Sequence, residues 1–194
     1  MADTNKRSTG IAGLDLALDG GFSPGTRIVI SGSPLSGLEL LAQQFWKEGE
    51  GAGSYLMLDT APGENMIDAR GMDPAAMAAA MEGKKIIVDS LSTLIAAWGI
   101  DRAAKFVLED TRPIIEGEAN IVYLLYTGAH SPSEEARIMR AADIFLSLRQ
   151  EVNGNEFERV LAIEKVKDAD VPQRVIPYNI MAVGLELSTT SRVV

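Results

Sequence analysis

The chain has 194 residues, of which 46% are hydrophobic and 23% charged. That size and balance suit one globular domain and exclude a disordered or fibrous chain. With no cysteine and a single histidine, disulfides, cysteine nucleophiles and thiolate or histidine-rich metal sites are excluded, so no metal is expected. The net charge of −9 argues against a broad nucleic-acid footprint, which depends on Lys and Arg neutralising phosphates; an acidic surface serves solubility instead.

No window approaches the roughly 20 apolar residues of a membrane span, and residues 1–10 lack the apolar core of a signal peptide, which predicts a cytoplasmic protein. The first strand is expected at 26–31 (TRIVIS), followed by a helix from Ser36 to Lys47. Gly49, Gly51 and Gly53 break the chain before a second strand at 54–59 (SYLMLD). Asp73 with Pro74 caps a helix to Met81, and a strand follows at 84–90 (KKIIVDS). A helix from Asp101 to about Arg112 leads to a strand at 119–127 (ANIVYLLYT). Ser133, followed by Glu134 and Glu135, opens a helix to Ala141. Strands at 142–150 and 158–166 come next, then a pair, RVIPYNIM and VGLELS, that reads as an antiparallel edge.

Strands alternating with helices predict βαβ units and a parallel sheet, and continuously apolar strands predict helices on both faces. The expected architecture is a doubly wound, mainly parallel α/β sheet with an antiparallel C-terminal edge, in one domain spanning 1–194. In such sheets ligands sit at the carboxyl ends of the strands, so the loops after Ser31, Asp59, Asp89 and Thr127 are where chemistry is sought.

After the first strand the chain reads Gly32-Ser33-Pro34-Leu35-Ser36-Gly37-Leu38-Glu39. The spacing is that of a Walker A phosphate loop, in which two glycines five apart let backbone N–H groups cradle phosphates, while a lysine and a Mg²⁺-binding hydroxyl complete the site. Here Leu38 stands in the lysine position and Glu39 in that of the hydroxyl.

Upstream stand Ser8-Thr9-Gly10-Ile11-Ala12-Gly13-Leu14-Asp15, Gly20-Gly21-Phe22 and Pro24-Gly25; downstream come Ile86-Ile87-Val88-Asp89-Ser90-Leu91-Ser92, Glu164-Lys165-Val166-Lys167, Arg174-Val175-Ile176-Pro177-Tyr178-Asn179-Ile180 and Gly184-Leu185-Glu186-Leu187. In order and spacing these segments resemble the KaiC-like ATPases of archaea within the RecA/RadA superfamily, over nearly the whole chain. The resemblance implies a RecA-like P-loop NTPase fold, Asp89 as a water-mediated Mg²⁺ ligand, and Lys165 and Lys167 as cations reaching a neighbouring subunit's nucleotide. It also implies paired acids after the second strand, where only Asp59 is present.

Without the lysine, the hydroxyl and one acid, Asp59 and Asp89 are read as vestigial and no ATP or Mg²⁺ is expected. The chain is read as a non-catalytic pseudo-ATPase that binds protein, for example an active KaiC-like or RecA-like paralogue, as a homo- or hetero-oligomer. The alternatives are a nucleotide-binding switch without turnover, for which the intact Gly32 and Gly37 speak, and an ATPase completed by partner residues with a DNA-linked role. Glu39 is expected to accept N–H groups of its own loop, standing in for phosphate at the helix start. His130, the methionines Met66, Met72, Met77 and Met81, and Trp46 and Trp98 read as loop and packing residues. Neither single- nor double-stranded DNA should be bound tightly near physiological salt; a retained complex that weakens steeply with salt in a filter assay would contradict this reading.

Overall fold

The computed structural model describes residues 5–49, 53–172 and 175–188. In chain order its elements are α1 (Ala12–Ala17), β1 (Arg27–Gly32), α2 (Leu38–Lys47), β2 (Tyr55–Met57), β3 (Ile67–Asp68), α3 (Pro74–Ala80), β4 (Lys85–Asp89), α4 (Leu91–Trp98) and α5 (Ile100–Lys105). A π-helical stretch, Phe106–Asp110, continues α5; then come α6 (Arg112–Glu116), β5 (Asn120–Tyr126), α7 (Pro132–Ala141), β6 (Ile144–Asn153), β7 (Glu156–Val166), β8 (Ile176–Met181) and β9 (Gly184–Leu187). The nine strands form one sheet in the order β3-β2-β4-β5-β1-β6-β7-β8-β9. From β3 to β6 all neighbours run parallel, and from β6 to β9 all run antiparallel.

The two-residue period of the strands divides the core into two layers. Ile28, Ile30, Ile87, Val122 and Leu124 face one side, where Leu14 of α1 and Leu38, Leu41 and Phe45 of α2 cover them. Val29, Ile86, Val88, Ile121, Tyr123 and Leu125 face the other, under Met77, Leu91, Ile95, Phe106 and Ile138 of the remaining helices. The apolar runs of β1, β4 and β5 thus have no solvent face, as expected for parallel strands between helical layers.

The upstream motif has a mechanical explanation. The Asp15 carboxylate accepts the Ser8 hydroxyl at 2.6 Å and both the amide and the hydroxyl of Thr9 at 2.7 Å, folding the entering chain back onto α1. Gly13 lets β9 approach, since a Cβ there would collide with Leu187. The Gln44 side chain of α2 pairs with one residue of β9 as a strand would, donating to Leu185 O at 3.1 Å and accepting from Leu185 N at 2.6 Å. The C-terminal hairpin is in this way locked onto α1 and α2.

The doubly wound sheet and its antiparallel edge follow the expectation, with differences at the local level. The antiparallel part begins earlier, because β6 and β7 form a long hairpin closed at Gly154 and Asn155. Helices α1 and α4 were not expected; Ser90 caps α4 by accepting the Thr93 amide, a signal that reads from sequence as the end of the preceding strand. The helix expected from Asp101 to about Arg112 changes to π geometry at Phe106 and restarts at Arg112. Helix α7 opens at Ser131, with Ser131 and Glu134 forming a reciprocal capping box. Gly51 and Arg174 of the sequence motifs lie outside the described residues.

At the amino edge of the sheet, Asp143 accepts the Arg27 backbone N–H at 2.9 Å and lies 3.3 Å from its guanidinium, which in turn donates to Val107 O at 2.8 Å. Asp143→Ala would leave a nearly buried guanidinium without its carboxylate and is expected to lower the unfolding free energy by about 3 kcal/mol, measured by urea denaturation.

Candidate functional site

Because β1, β2, β4 and β5 run the same way, their carboxyl ends meet at one edge. Gly32 pairs with Tyr126 on one side and Leu148 on the other, and Met57 pairs with Asp89. Beyond Gly32 the chain turns through Ser33, Pro34, Leu35 and Ser36, and Gly37 enters α2 with φ +84°, a left-handed conformation that favours glycine. The turn is held by its own groups: Ser36 donates to Ser33 O through its amide at 3.0 Å and its hydroxyl at 2.6 Å, and the Tyr178 hydroxyl of β8 donates to Ser36 O at 2.8 Å.

Close contacts surround both loop glycines. A Cβ on Gly32 would collide with Ser36 Oγ and Leu148, and one on Gly37 would press on Leu185 and Ile180 of the C-terminal hairpin. Ser36 and Leu38 are fully buried, and Leu38 packs into the core on the α2 face; Leu35 at the turn's apex is 74% exposed.

Three carboxylates converge on this edge. Glu39, in the first turn of α2, accepts the Tyr126 hydroxyl at 2.6 Å. Asp89, at the end of β4 and buried, accepts the Tyr55 hydroxyl at 2.7 Å. Asp59, exposed beyond β2, accepts the Ser90 hydroxyl at 2.9 Å and also that of Thr93. Behind them the Tyr126 backbone N–H donates to Ser92 Oγ at 2.8 Å, and His130 Nε2 lies 2.9 Å from the same oxygen.

The partner of Glu39 corrects the expectation that it would cap the N–H groups of its own loop. It turns to a phenol across the cleft, and the loop's Ser33 supplies the internal acceptors instead. Tyr55, Tyr126 and Thr93 were not singled out from sequence, and Ser92 enters only as the last residue of the resemblance-bearing segment 86–92. The signal for Tyr126 is faint: a polar-ended ring closing an apolar run, which also reads as ordinary strand packing.

Burial pushes the Asp89 carboxyl up to about 6; the neighbouring charges of Asp59 and Glu39 push the same way, against the Tyr55 hydrogen bond. Burial also raises both tyrosines far above the usual phenol range, Tyr55 next to Asp89 and Tyr126 next to Glu39. Both phenols therefore serve as neutral donors to carboxylates. Chemically the edge is an anionic cluster braced by hydroxyl groups, and among the described residues no group of three His, Cys, Asp or Glu is placed to hold a metal ion.

Lys165 and Lys167 are not brought to this edge. Lys165 pairs with Phe145 at the start of β6, at the amino end of the parallel strands. Its ammonium donates to the carbonyls of Met139 at 3.2 Å, of Arg140 at 3.1 Å and of Ala142, closing the end of α7. Lys167 is exposed and lies 3.7 Å from Asp143.

A nine-stranded sheet of this order, with helices on both faces of its parallel part, a glycine loop feeding α2 and an acid closing β4, is a RecA-like α/β fold. Among solved structures the fold resembles that of a KaiC-like protein from the hyperthermophilic archaeon Pyrococcus horikoshii OT3, with a TM-score of 0.76 and 14% sequence identity over 94% of this chain and 98% of that one. The chain belongs to the family of unknown function DUF7125, whose model matches residues 63–191. That match spans Asp89, Tyr126 and the β6–β7 hairpin and leaves out the loop 32–39. No curated protein sequence matches the chain. Among the described residues no helix is long and apolar enough to cross a membrane.

The position of Asp89 gives stability a pH dependence of defined sign. Its folded-state pKa is raised, so the folded chain binds the proton more tightly than the unfolded chain, and the penalty for the buried charge is absent below about pH 4 and complete above about pH 6. Asp89→Asn keeps an acceptor for Tyr55 without the charge. In urea denaturation it is expected to gain on the wild type by up to about 3 kcal/mol as the pH is raised from 4 to 7.

Proposed function

We propose that the chain is a RecA-type domain whose nucleotide site has become a structural joint, and that it acts as a non-catalytic scaffold or regulator by binding protein. The observation that carries this reading is the Glu39–Tyr126 hydrogen bond: a carboxylate is held across the cleft at the start of the very helix that would receive phosphate.

The residues present do not fit Mg²⁺-ATP in the usual pose. The lysine position is occupied by Leu38, which is spent on the core, so no cation of the loop answers the phosphate charge. Glu39 adds a like charge; two unit charges 4 Å apart repel by about 4 kcal/mol at an effective dielectric of 20. That is about half the free energy of micromolar binding. Asp89 and Asp59 deepen the negative field. The retained glycines do not by themselves call for a nucleotide, since Gly32 is closely packed and Gly37 takes a left-handed backbone conformation.

The partner class that fits best is an active KaiC-like or RecA-like relative. Lys167, exposed at the edge opposite the loop, can face a neighbouring subunit, whereas Lys165 is committed to the end of α7. The test is calorimetry of the purified chain with ATP, with and without Mg²⁺, beside the ATPase rate of such a relative with and without this chain. No binding heat and no turnover by the chain alone, together with a changed rate for the relative, are expected. A saturable micromolar isotherm, or Mg²⁺-dependent turnover lost in Asp89→Ala, overturns the reading.

A further inference from the structure

The β6–β7 hairpin outruns the sheet. Gly32, the last residue of β1, pairs with Leu148, and β8 pairs with β7 only at Val160 and Leu161. The pairs Gln150–Arg159, Glu151–Glu158, Val152–Phe157 and Asn153–Glu156 lie beyond, in a two-stranded arm with no neighbouring strand among the described residues. At about 3.3 Å per residue the four pairs project roughly 13 Å past the carboxyl edge.

Side chains alternate between faces along a strand, so the two sides of the arm differ. Leu148 and Leu161 belong to the core layer under α2. Gln150 and Val152 on β6, with Arg159 and Phe157 on β7, continue that side outward. Val152 and Phe157 stand opposite each other and are 71% and 64% exposed. The other side carries Glu151, Glu156 and Glu158. The turn after Gly32 bends over the α2 side, since Ser36 Oγ lies where a Cβ of Gly32 would be, and its apex, Leu35, is also exposed. Three large apolar side chains thus stand uncovered on the side that holds one cation.

That cation is Arg159. Its Nε is buried without a hydrogen-bond partner, and no carboxylate pairs with it among the described residues. It lies close enough to Tyr178 for its charge to act on the phenol whose hydroxyl holds Ser36 O. An arginine left unpaired in an apolar setting is complementary to a carboxylate brought from outside. Arginine and aromatic side chains are also the types enriched where protein partners bind. The backbone adds its own demand. In an antiparallel pair every second residue turns its N–H and C=O away from its partner, and on β6 beyond Leu148 that edge lies open, in the lane that β1 leaves at Gly32.

We propose that the α2 side of the arm docks an extended segment of a different protein, one that carries a carboxylate between apolar side chains. Laid in the lane of β1, the segment pairs with the open edge of β6, sets its apolar side chains against Val152, Phe157 and Leu35, and sends its carboxylate across Gln150 to Arg159. From that lane to β7 is two strand spacings, about 10 Å, which an arginine and a glutamate side chain together span. Glu151, Glu156 and Glu158 turn an acidic segment away from the opposite face, and two copies of a chain of net charge −9 repel, so the occupant is not a second copy. The proposal rests on the reading of the chain as a protein binder and gives that reading a surface. It uses none of Glu39, Asp59 and Asp89.

The probe is a display library of random nine-residue peptides selected on the purified chain, with the enriched peptides then synthesised and measured by fluorescence anisotropy. Enrichment of one Asp or Glu between apolar residues is expected. Phe157→Ser and Arg159→Gln should each weaken those peptides at least tenfold with unchanged circular dichroism, whereas Val183→Ser, at an equally bare valine far from the arm, should leave them unchanged. Selection repeated on Arg159→Glu should enrich Lys or Arg at the place of the acid. No enrichment, enrichment without an acid, or peptides that bind Phe157→Ser and Arg159→Gln as tightly as the wild type overturn this surface, the last while leaving protein binding in place. Self-association lost in Phe157→Ser overturns it in favour of a second copy. An ATP isotherm overturns the scaffold reading and leaves the peptide result standing.

Discussion

Parallel strands finish together, and in this chain that geometric necessity gathers Glu39, Asp59 and Asp89 at one edge. Their mutual repulsion is the constraint the edge is built around. Among the described residues it is met without a cation: Tyr126, Tyr55, Ser90 and Thr93 donate hydroxyl hydrogens to the three carboxylates, and burial keeps both phenols neutral. Hydrogen bonds to charged groups are among the stronger ones, about 1.5–3 kcal/mol each, which is the scale needed to hold such a cluster. The same charge that the hydroxyls tolerate is adverse to a polyphosphate.

The loop 32–39 keeps the spacing of a phosphate cradle, and several of its groups are tied into the surrounding structure. Ser36 fills the space above Gly32, Tyr178 ties the turn to β8, and Leu185 and Ile180 rest on Gly37. A backbone shape that serves ligand binding in one protein can persist because the surrounding side chains have come to need it. Glycine at these two positions therefore has a structural reason in this chain: close contacts at Gly32 and a left-handed backbone at Gly37.

Much of the fold was legible because β1, β4 and β5 are uninterrupted apolar runs, and because Asp73-Pro74 and the glycine-bearing segments mark element ends in recognisable chemistry. Helix α4 was not, since its Ser90 cap sits inside what reads as a strand ending. The loop and Glu39 follow from the Walker A spacing, whereas Asp59 and Asp89 follow from the family resemblance and from their places at strand ends. Their partners do not: Tyr126 lies 87 residues from Glu39 and Tyr55 lies 34 from Asp89, and no local pattern encodes a hydrogen bond between segments so distant in the chain. The direction of the Glu39 side chain was misjudged for the same reason.

The amide of Gln44 laid along Leu185 has a consequence for how the protein behaves at high concentration. An outermost strand normally presents open amides and carbonyls on which another chain's strand can template, the first step toward ordered aggregates. On β9 the N–H and the C=O of Leu185 are already taken by a side chain of the same molecule. A glutamine thus acts as a surrogate strand one residue long, which blunts this border of the sheet against uncontrolled lateral growth.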